Sequence, residues 1–237
     1  MIKNLFDCVY CINLDKRSDR WLRCLQQFER YDFTAKRFSG VEYKNKNLNK
    51  IICGRIGCWL SFYGVLVESY LKNHKSVLIL EDDFKIIDPP NQFNEKIKNC
   101  YDELPENWDL FYLSAYYVKG YDFEPVEKFS NNLIKAKTAF CCHCIAISEK
   151  GIKNLLALMP EISCEKNAID LIKEYDGLDW FLVREAQQIL NCYGAKRLLI
   201  SQYPSFSDIE NTHVDGSYHY NKSYSSIDLL ESNENFK

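Results

Sequence analysis

The stretch VLILEDDF, residues 77–84, decides how the chain is read. Four consecutive apolar residues at 77–80 carry the mark of a central strand covered on both faces. The run breaks into Glu81, Asp82 and Asp83. Charge does not extend a core strand cheaply, so the strand must emerge there into solvent or into a site. In open α/β sheets, ligands bind off the carboxyl ends of strands. Strand alternation puts Glu81 and Asp83 on one face and turns Asp82 away. Two carboxylates on one face repel unless a cation joins them, and hard oxygen ligands suit Mg²⁺ or Mn²⁺. Such an ion holds a diphosphate and neutralises its departing charge. A solvated acidic loop is the competing reading.

Working outward, INLDKRSDRW (12–21) closes a first strand at 8–13 with Asn13, and Lys16, Arg17 and Arg20 follow at once. Basic groups and a helix N-terminus at a strand's carboxyl end make an anion site. A charged first helical turn is the alternative. Ser18 is expected to cap a helix over 19–31 with Trp21, Leu25 and Phe28 on one face. TAKRFSGV (34–41) reads as a second strand and 42–50 as a polar loop. In CGRIGCWLSFYGVL (53–66), Gly54 and Gly57 are expected to introduce a helix and to permit close backbone approach. Neither a phosphate loop nor a dinucleotide fingerprint is present. Further helices are expected at about 92–101, after Ser148 as a cap, and over 178–190. Further strands are expected at 108–116, within 133–147 and at 197–203. Alternating strands and helices imply a mixed, mainly parallel central sheet flanked by helices. One α/β domain is expected over 1–220, with a Ser-, Asn- and Glu-rich tail fraying over 221–237.

Composition narrows the function. The 237 residues carry 30 Lys and Arg against 33 Asp and Glu, a net charge of −3, which argues against a nucleic-acid binder. Hydrophobic residues at 46% and charged ones at 27% exclude wholesale disorder. The first twenty residues do not read as a signal peptide, because Asp7 and Asn13 interrupt the apolar run. No uncharged apolar stretch reaches the roughly 18 residues of a membrane helix. A cytoplasmic protein is expected, with its 11 cysteines reduced and mostly buried. The C-x-x-C pairs Cys8/Cys11 and Cys141/Cys144 sit in strand-like runs. Residues three apart there face opposite ways, which argues against zinc.

INLDKRSDR (12–20), GRIGCWLSF (54–62) and LEDDF (80–84), in this order, resemble the motifs of glycosyltransferase family 25. WDLFYLSAY (108–116), TAFCCHCIAISEKGIKNLL (138–156), GLDWFL (177–182) and QYPSFSDIENT (202–212) are similar to its later segments. The family includes lipopolysaccharide sugar transferases and collagen hydroxylysine galactosyltransferases. Two positions depart from its pattern: Arg55 stands where the family has Glu, and Phe62 where it has His.

The resemblance implies a GT-A type nucleotide-sugar transferase fold and Mn²⁺ (or Mg²⁺) as cofactor. It implies Asp83 as a metal ligand, with Glu81, and with Asp208 or His213 closing the metal site from the C-terminal side. Asn13, Leu14, Arg17, Arg20, Ser61 and Asp82 are the expected nucleotide-sugar contacts. Asp179 is the expected catalytic base, against a helix-cap reading, with Asp170, Asp176 and Glu185 in reserve; Trp180 is placed to stack on a sugar. His74 and His143 read as surface or structural. The implied reaction is transfer of a hexose, galactose or glucose, from a UDP-sugar to a hydroxyl of a glycan or hydroxylysine-type acceptor, with inversion. A homodimer is compatible with this reading, and a bacterial or viral source fits the Lys-, Asn- and Ile-rich composition. The alternatives are a non-catalytic nucleotide-sugar or carbohydrate-binding module on the same fold, and a metal-dependent phosphohydrolase.

Overall fold

Side-chain alternation along the strands divides the chain into layers. A computed structural model describes residues 2–117 and 126–215. β1 (Cys8–Asn13), α1 (Ser18–Arg30), β2 (Lys36–Ser39), α2 (Lys50–Leu71) and β3 (Ser76–Glu81) form the first half. There follow β4 (Phe84–Ile86), α3 (Pro90–Asp102), β5 (Leu110–Tyr112), β6 (Tyr116–Tyr117), β7 (Val126–Lys128), β8 (Leu133–Ala136), β9 (Ala139–Phe140) and β10 (Cys144–Ser148). The second half continues with α4 (Glu149–Leu158), α5 (Glu165–Tyr175), α6 (Leu178–Phe181), a π-helical turn (Leu182–Ala186) and α7 (Gln187–Ile189). β11 (Cys192–Ala195), β12 (Ile200–Gln202), β13 (Ser205–Ser207) and β14 (Thr212–Val214) complete it. The expected tail at 221–237 lies outside the described residues.

The main sheet has eight strands in the order β2-β1-β3-β10-β5-β11-β8-β7. β1 pairs parallel with β2 and β3, and β5 with β11; β8 and β10 run against the other six. This is the expected mixed sheet. Tyr10, Val77, Ile79, Leu110, Tyr112, Ile145 and Ile147 face one apolar layer, with Trp59, Phe62, Val65 and Leu66 of α2, Leu155 of α4 and Phe181 of α6. Their neighbours Val9, Cys11, Leu78, Leu80, Phe111, Cys144 and Ala146 face the other, with Cys24 and Phe28 of α1 and Phe93 and Ile97 of α3. A strand covered on both faces needs apolar residues at every position. That is why β3 reads as an unbroken run and ends where its first charge appears.

Three local expectations are corrected. Ser18 is the first residue of α1, and its cap position is Arg17, which makes no side-chain cap bond. The buried face of α1 carries Arg20, Cys24, Gln27 and Phe28, while Leu25 is exposed. Gly54 and Gly57 lie inside α2, which starts at Lys50 under an Asn49 cap. A Cβ on Gly54 would come within 2.7 Å of the Ile209 backbone, and one on Gly57 within 2.4 Å of the Val41 carbonyl. Glycine inside a helix costs about 1 kcal/mol relative to alanine. Here the missing side chains admit two backbone segments against α2, and those segments wall the site.

By length and composition α2 reaches the apolarity of a membrane-crossing helix, at 22 residues and a mean hydropathy of 1.4. Arg55 and Glu68 interrupt it, and both form ion pairs. In the fold it packs on the sheet and against α4 and α5.

Candidate functional site

A cavity of about 940 Å³ opens where β1 and β3 end. It is bordered by Gly54, Gly57 and Cys58 of α2, by Cys141 and Cys142 before β10, by Asp179 of α6 and by the β13–β14 hairpin. The location is the one expected for a ligand site in an open α/β sheet.

The acidic tip contributes Glu81, Asp82 and Asp83 to the cavity wall. β3 ends at Glu81 and the chain turns through Asp82 and Asp83 into β4; Asp82 is buried while Glu81 and Asp83 are half-buried. Asp82 and Asp83 share one arginine: Arg20 Nη1 lies 2.6 Å from Asp82 Oδ1 and 3.4 Å from Asp83 Oδ2. Burial opposes the Arg20 charge, but Asp82 and Asp83 outweigh it and hold the guanidinium firmly protonated. Asn13 Nδ2 donates to the other Asp82 oxygen at 2.7 Å. Gln202 Nε2 donates to Asp83 Oδ1 at 3.2 Å. Among the described residues the Glu81 carboxylate accepts no hydrogen bond. Burial, then the charges of Asp83, Asp179 and Asp82, push it well above the usual carboxylate range.

Asp179 faces the same cavity. Gly177 (φ 134°) turns the chain out of α5 and into α6. Asp179 lies in the first turn of that helix, and makes no cap bond as the N-cap is Gly177. The Cys142 thiol donates to Asp179 Oδ1 at 2.6 Å, and the Cys141 backbone N–H also serves this carboxylate. Burial raises the Asp179 pKa, while these two donors restrain the rise. An acid held in this way suits a general base, because its proton affinity moves toward neutral pH.

The remaining candidates fall into two groups. Leu14, Arg20, Ser61, Asp82 and Asp208 line the cavity; Asn13, Arg17 and His213 do not. Asn13 is 1% exposed, and it also bonds the Arg17 carbonyl and accepts from Arg37. It therefore positions Asp82 rather than meeting a ligand. Ser61 spends its hydroxyl on the Gly57 carbonyl and the Val41 N–H. Asp208 pairs with Arg17 at 2.5 Å and Lys16 at 3.0 Å. Burial would raise its pKa, but these two cations bring it below the usual carboxylate value. His213 sits on an exposed strand, edge-on to Phe206. Arg55 pairs with Asp176 and with Glu210, so the departure from the family's Glu ties α2 to the end of α5 and to the hairpin turn. The sequence pattern did not single out Cys58, Cys142, Tyr116, Phe140 or Gln202 as site residues, yet all five line the cavity.

A divalent cation fits the acidic tip in one respect. Among the described residues Glu81 is a hard-oxygen donor without a hydrogen-bond partner, lining the cavity with Asp83 and Asp179. Among the described residues, no three His, Cys, Asp or Glu side chains are gathered as a ready metal cage. Mg²⁺-type sites commonly use one or two carboxylates and take further positions from water and phosphate. Asp208 and His213 are not brought to Glu81 as ligands.

Residues 6–172 match the family described as "Glycosyltransferase family 25 (LPS biosynthesis protein)". A "Glycosyltransferase 25 family member" of Drosophila melanogaster is 27% identical over 174 residues, 65% of this chain and 28% of that protein. "Procollagen galactosyltransferase 2" of Homo sapiens is 24% identical over 178 residues, again 65% and 28%. "Procollagen galactosyltransferase 1" of Danio rerio is 24% identical over 245 residues, 91% of this chain and 38% of that protein. The chain thus spans 28–38% of the length of these relatives.

Proposed function

The chain belongs to glycosyltransferase family 25, and from that premise we propose that it transfers a hexose from a UDP-sugar to an acceptor hydroxyl with the help of a divalent metal. The observation that carries the proposal is the Glu81 carboxylate, which accepts no hydrogen bond among the described residues and lines the cavity with Asp83 and Asp179 at the carboxyl end of a buried strand. The names of two relatives, both procollagen galactosyltransferases, support galactose as the sugar.

Glu81 and Asp83 are the residues that would hold the cation. When bound, it supplies positive charge against the diphosphate leaving group. Arg20 keeps Asp82 and Asp83 in place, and Asn13 fixes Asp82 from the other side. Asp179 takes the proton of the acceptor hydroxyl as that oxygen attacks the anomeric carbon; the bond to the nucleoside diphosphate breaks at the same centre. A single displacement of this kind inverts the anomeric configuration. The Cys142 thiol holds Asp179 through Oδ1, and the Cys141 N–H also serves this carboxylate.

The test is a thermal-shift panel of UDP-galactose, UDP-glucose and UDP-N-acetylglucosamine with Mn²⁺, followed by UDP release with and without acceptor. A donor at about 100 times its Kd stabilises by about 2.7 kcal/mol. A transferase releases UDP in step with acceptor consumption. A binding module shows stabilisation without turnover. If Asp83→Asn leaves Mn²⁺-assisted UDP-sugar affinity and transfer unchanged, the reading is wrong.

A further inference from the structure

Beside Asp179 the cavity carries a wall of aromatic rings drawn from three separate segments: Tyr116 of β6, Phe140 of β9 and Trp180 of α6. The pairing of β6 with β9 sets Tyr116 opposite Phe140, and their rings lie 5.9 Å apart at an interplanar angle of 9°. Phe140 meets Trp180 edge to face at 4.8 Å and 82°. Two of its three rings are tied to the carboxylate. Trp180 follows Asp179 in the chain, and Phe140 lies two residues before Cys142, whose thiol bonds Asp179. Phe140 is buried and braces the other two, which are only half-buried.

We propose that this wall is the acceptor subsite and that it selects a pyranose ring over a hydroxylysine side chain. The inference rests on the reading of Asp179 as the base, because a hydroxyl beside that carboxylate is the one activated. The flat C–H face of a sugar matches an apolar ring while its hydroxyls reach the acids beyond it. A lysine-type ammonium would also be drawn to aromatic rings. Here, however, the Arg184 guanidinium already lies 4.7 Å from the Trp180 ring centroid, and Arg184 is not itself a cavity residue. A second cation on the same ring would be repelled by the first. Tyr116 and Phe140 also lie nearly parallel, an arrangement that suits a flat ligand face.

Saturation-transfer difference NMR tests this on the full chain with UDP present. The probes are methyl β-D-galactopyranoside, methyl α-D-glucopyranoside and a hydroxylysine-containing peptide. The expected result is saturation of the C–H protons on one face of a pyranoside and none on the peptide. Trp180→Ala weakens the signal and raises the acceptor KM about three- to tenfold, as for a lost aromatic contact, while the UDP-sugar Kd stays the same. Trp180→Phe keeps a flat ring and restores most of the signal. Tyr116→Ala gives an independent loss should Trp180→Ala fold poorly. The proposal is overturned if no pyranoside is saturated, if the peptide is saturated through Trp180, or if Trp180→Ala moves the donor Kd and leaves the acceptor KM alone. Asp179→Asn separates this from the function it rests on, since that variant should lose transfer and keep the pyranoside signal. Trp180-dependent saturation in a chain that never transfers sugar would leave the wall standing and remove the transferase.

Discussion

Two acids at opposite ends of the same sheet are treated in opposite ways. Just before β5, Asp109 is 1% exposed and fully provided for: Asn154 Nδ2 donates at 2.8 Å, the Asn191 N–H at 2.9 Å and Lys150 Nζ at 3.1 Å. At the carboxyl end of β3, Glu81 accepts no hydrogen bond among the described residues, and the charges acting most strongly on it, Asp83, Asp179 and Asp82, have its own sign. Glu81 is half-buried and keeps part of its hydration from the cavity, but a carboxylate drawn from water without donors is still destabilised. The chain can supply donors from a neighbouring helix and strand, as it does for Asp109. Where it does not, at the mouth of a large cavity, the missing partner is best sought outside the chain.

The comparison breaks most visibly in activity. Asp179→Asn, at the cavity end, should lower the transfer rate by about 10²–10⁴, the usual worth of a general base, with UDP-sugar binding retained. A variant that transfers sugar at the normal rate would leave Asp179 as a packing residue. Asp109→Ala is the mirror experiment. It strands the Asn154 amide and the Asn191 N–H and should cost about 2–3 kcal/mol in urea unfolding, with the rate per folded molecule unchanged. If Asp109→Ala is neutral in stability, the contrast between the two ends of the sheet fails.

A smaller effect sharpens the same contrast. Glu81→Gln removes a like charge from the acidic cluster, so the free protein should melt no lower than the wild type. Mn²⁺ at about ten times its Kd should stabilise the wild type by about 1.4 kcal/mol, or about 3–6 °C at this size. The same Mn²⁺ should give Glu81→Gln a much smaller shift. Equal shifts in both proteins would place the ion elsewhere.

These tests also mark how far the sequence could be read. Residues 77–80 announce a strand buried on both faces, and the acids after them announce its emergence; both are visible in one stretch. The partners of those acids are not. Asn13 and Asp82 meet because β1 and β3 run parallel with Ile12 opposite Glu81, a register that depends on the whole sheet. Two-residue alternation gave no sign that the turn after Glu81 would bring Asp82 and Asp83 to one arginine, Arg20. Gly54 and Gly57 read as helix openers because what they accommodate, Ile209 and Val41, is named only by the fold. The aromatic wall was visible only in Trp180, read as placed to stack on a sugar, for the same reason. Tyr116, Phe140 and Trp180 come from separate segments, and only Trp180 sits beside a residue already under suspicion.

The subtlest prediction concerns Cys142, which has the look of one more core thiol in the sequence. Burial and the adjacent Asp179 charge hold its own pKa well above the ordinary thiol value, so it remains an S–H donor across the working pH range. Its bond favours the charged form of Asp179, against the burial that favours the neutral one. A base acts only when unprotonated, so the rate of transfer falls as pH drops through the raised Asp179 pKa. Cys142→Ala removes a donor to the carboxylate and lets burial act with less restraint. The acid limb of the kcat/KM profile should then move to higher pH, while the rate on the alkaline plateau changes less. Cys142→Ser keeps a hydroxyl donor and should return the limb toward its original position. A limb that stays put in Cys142→Ala would mean that the thiol only fills space, and that Asp179 is tuned by burial and the Cys141 N–H alone.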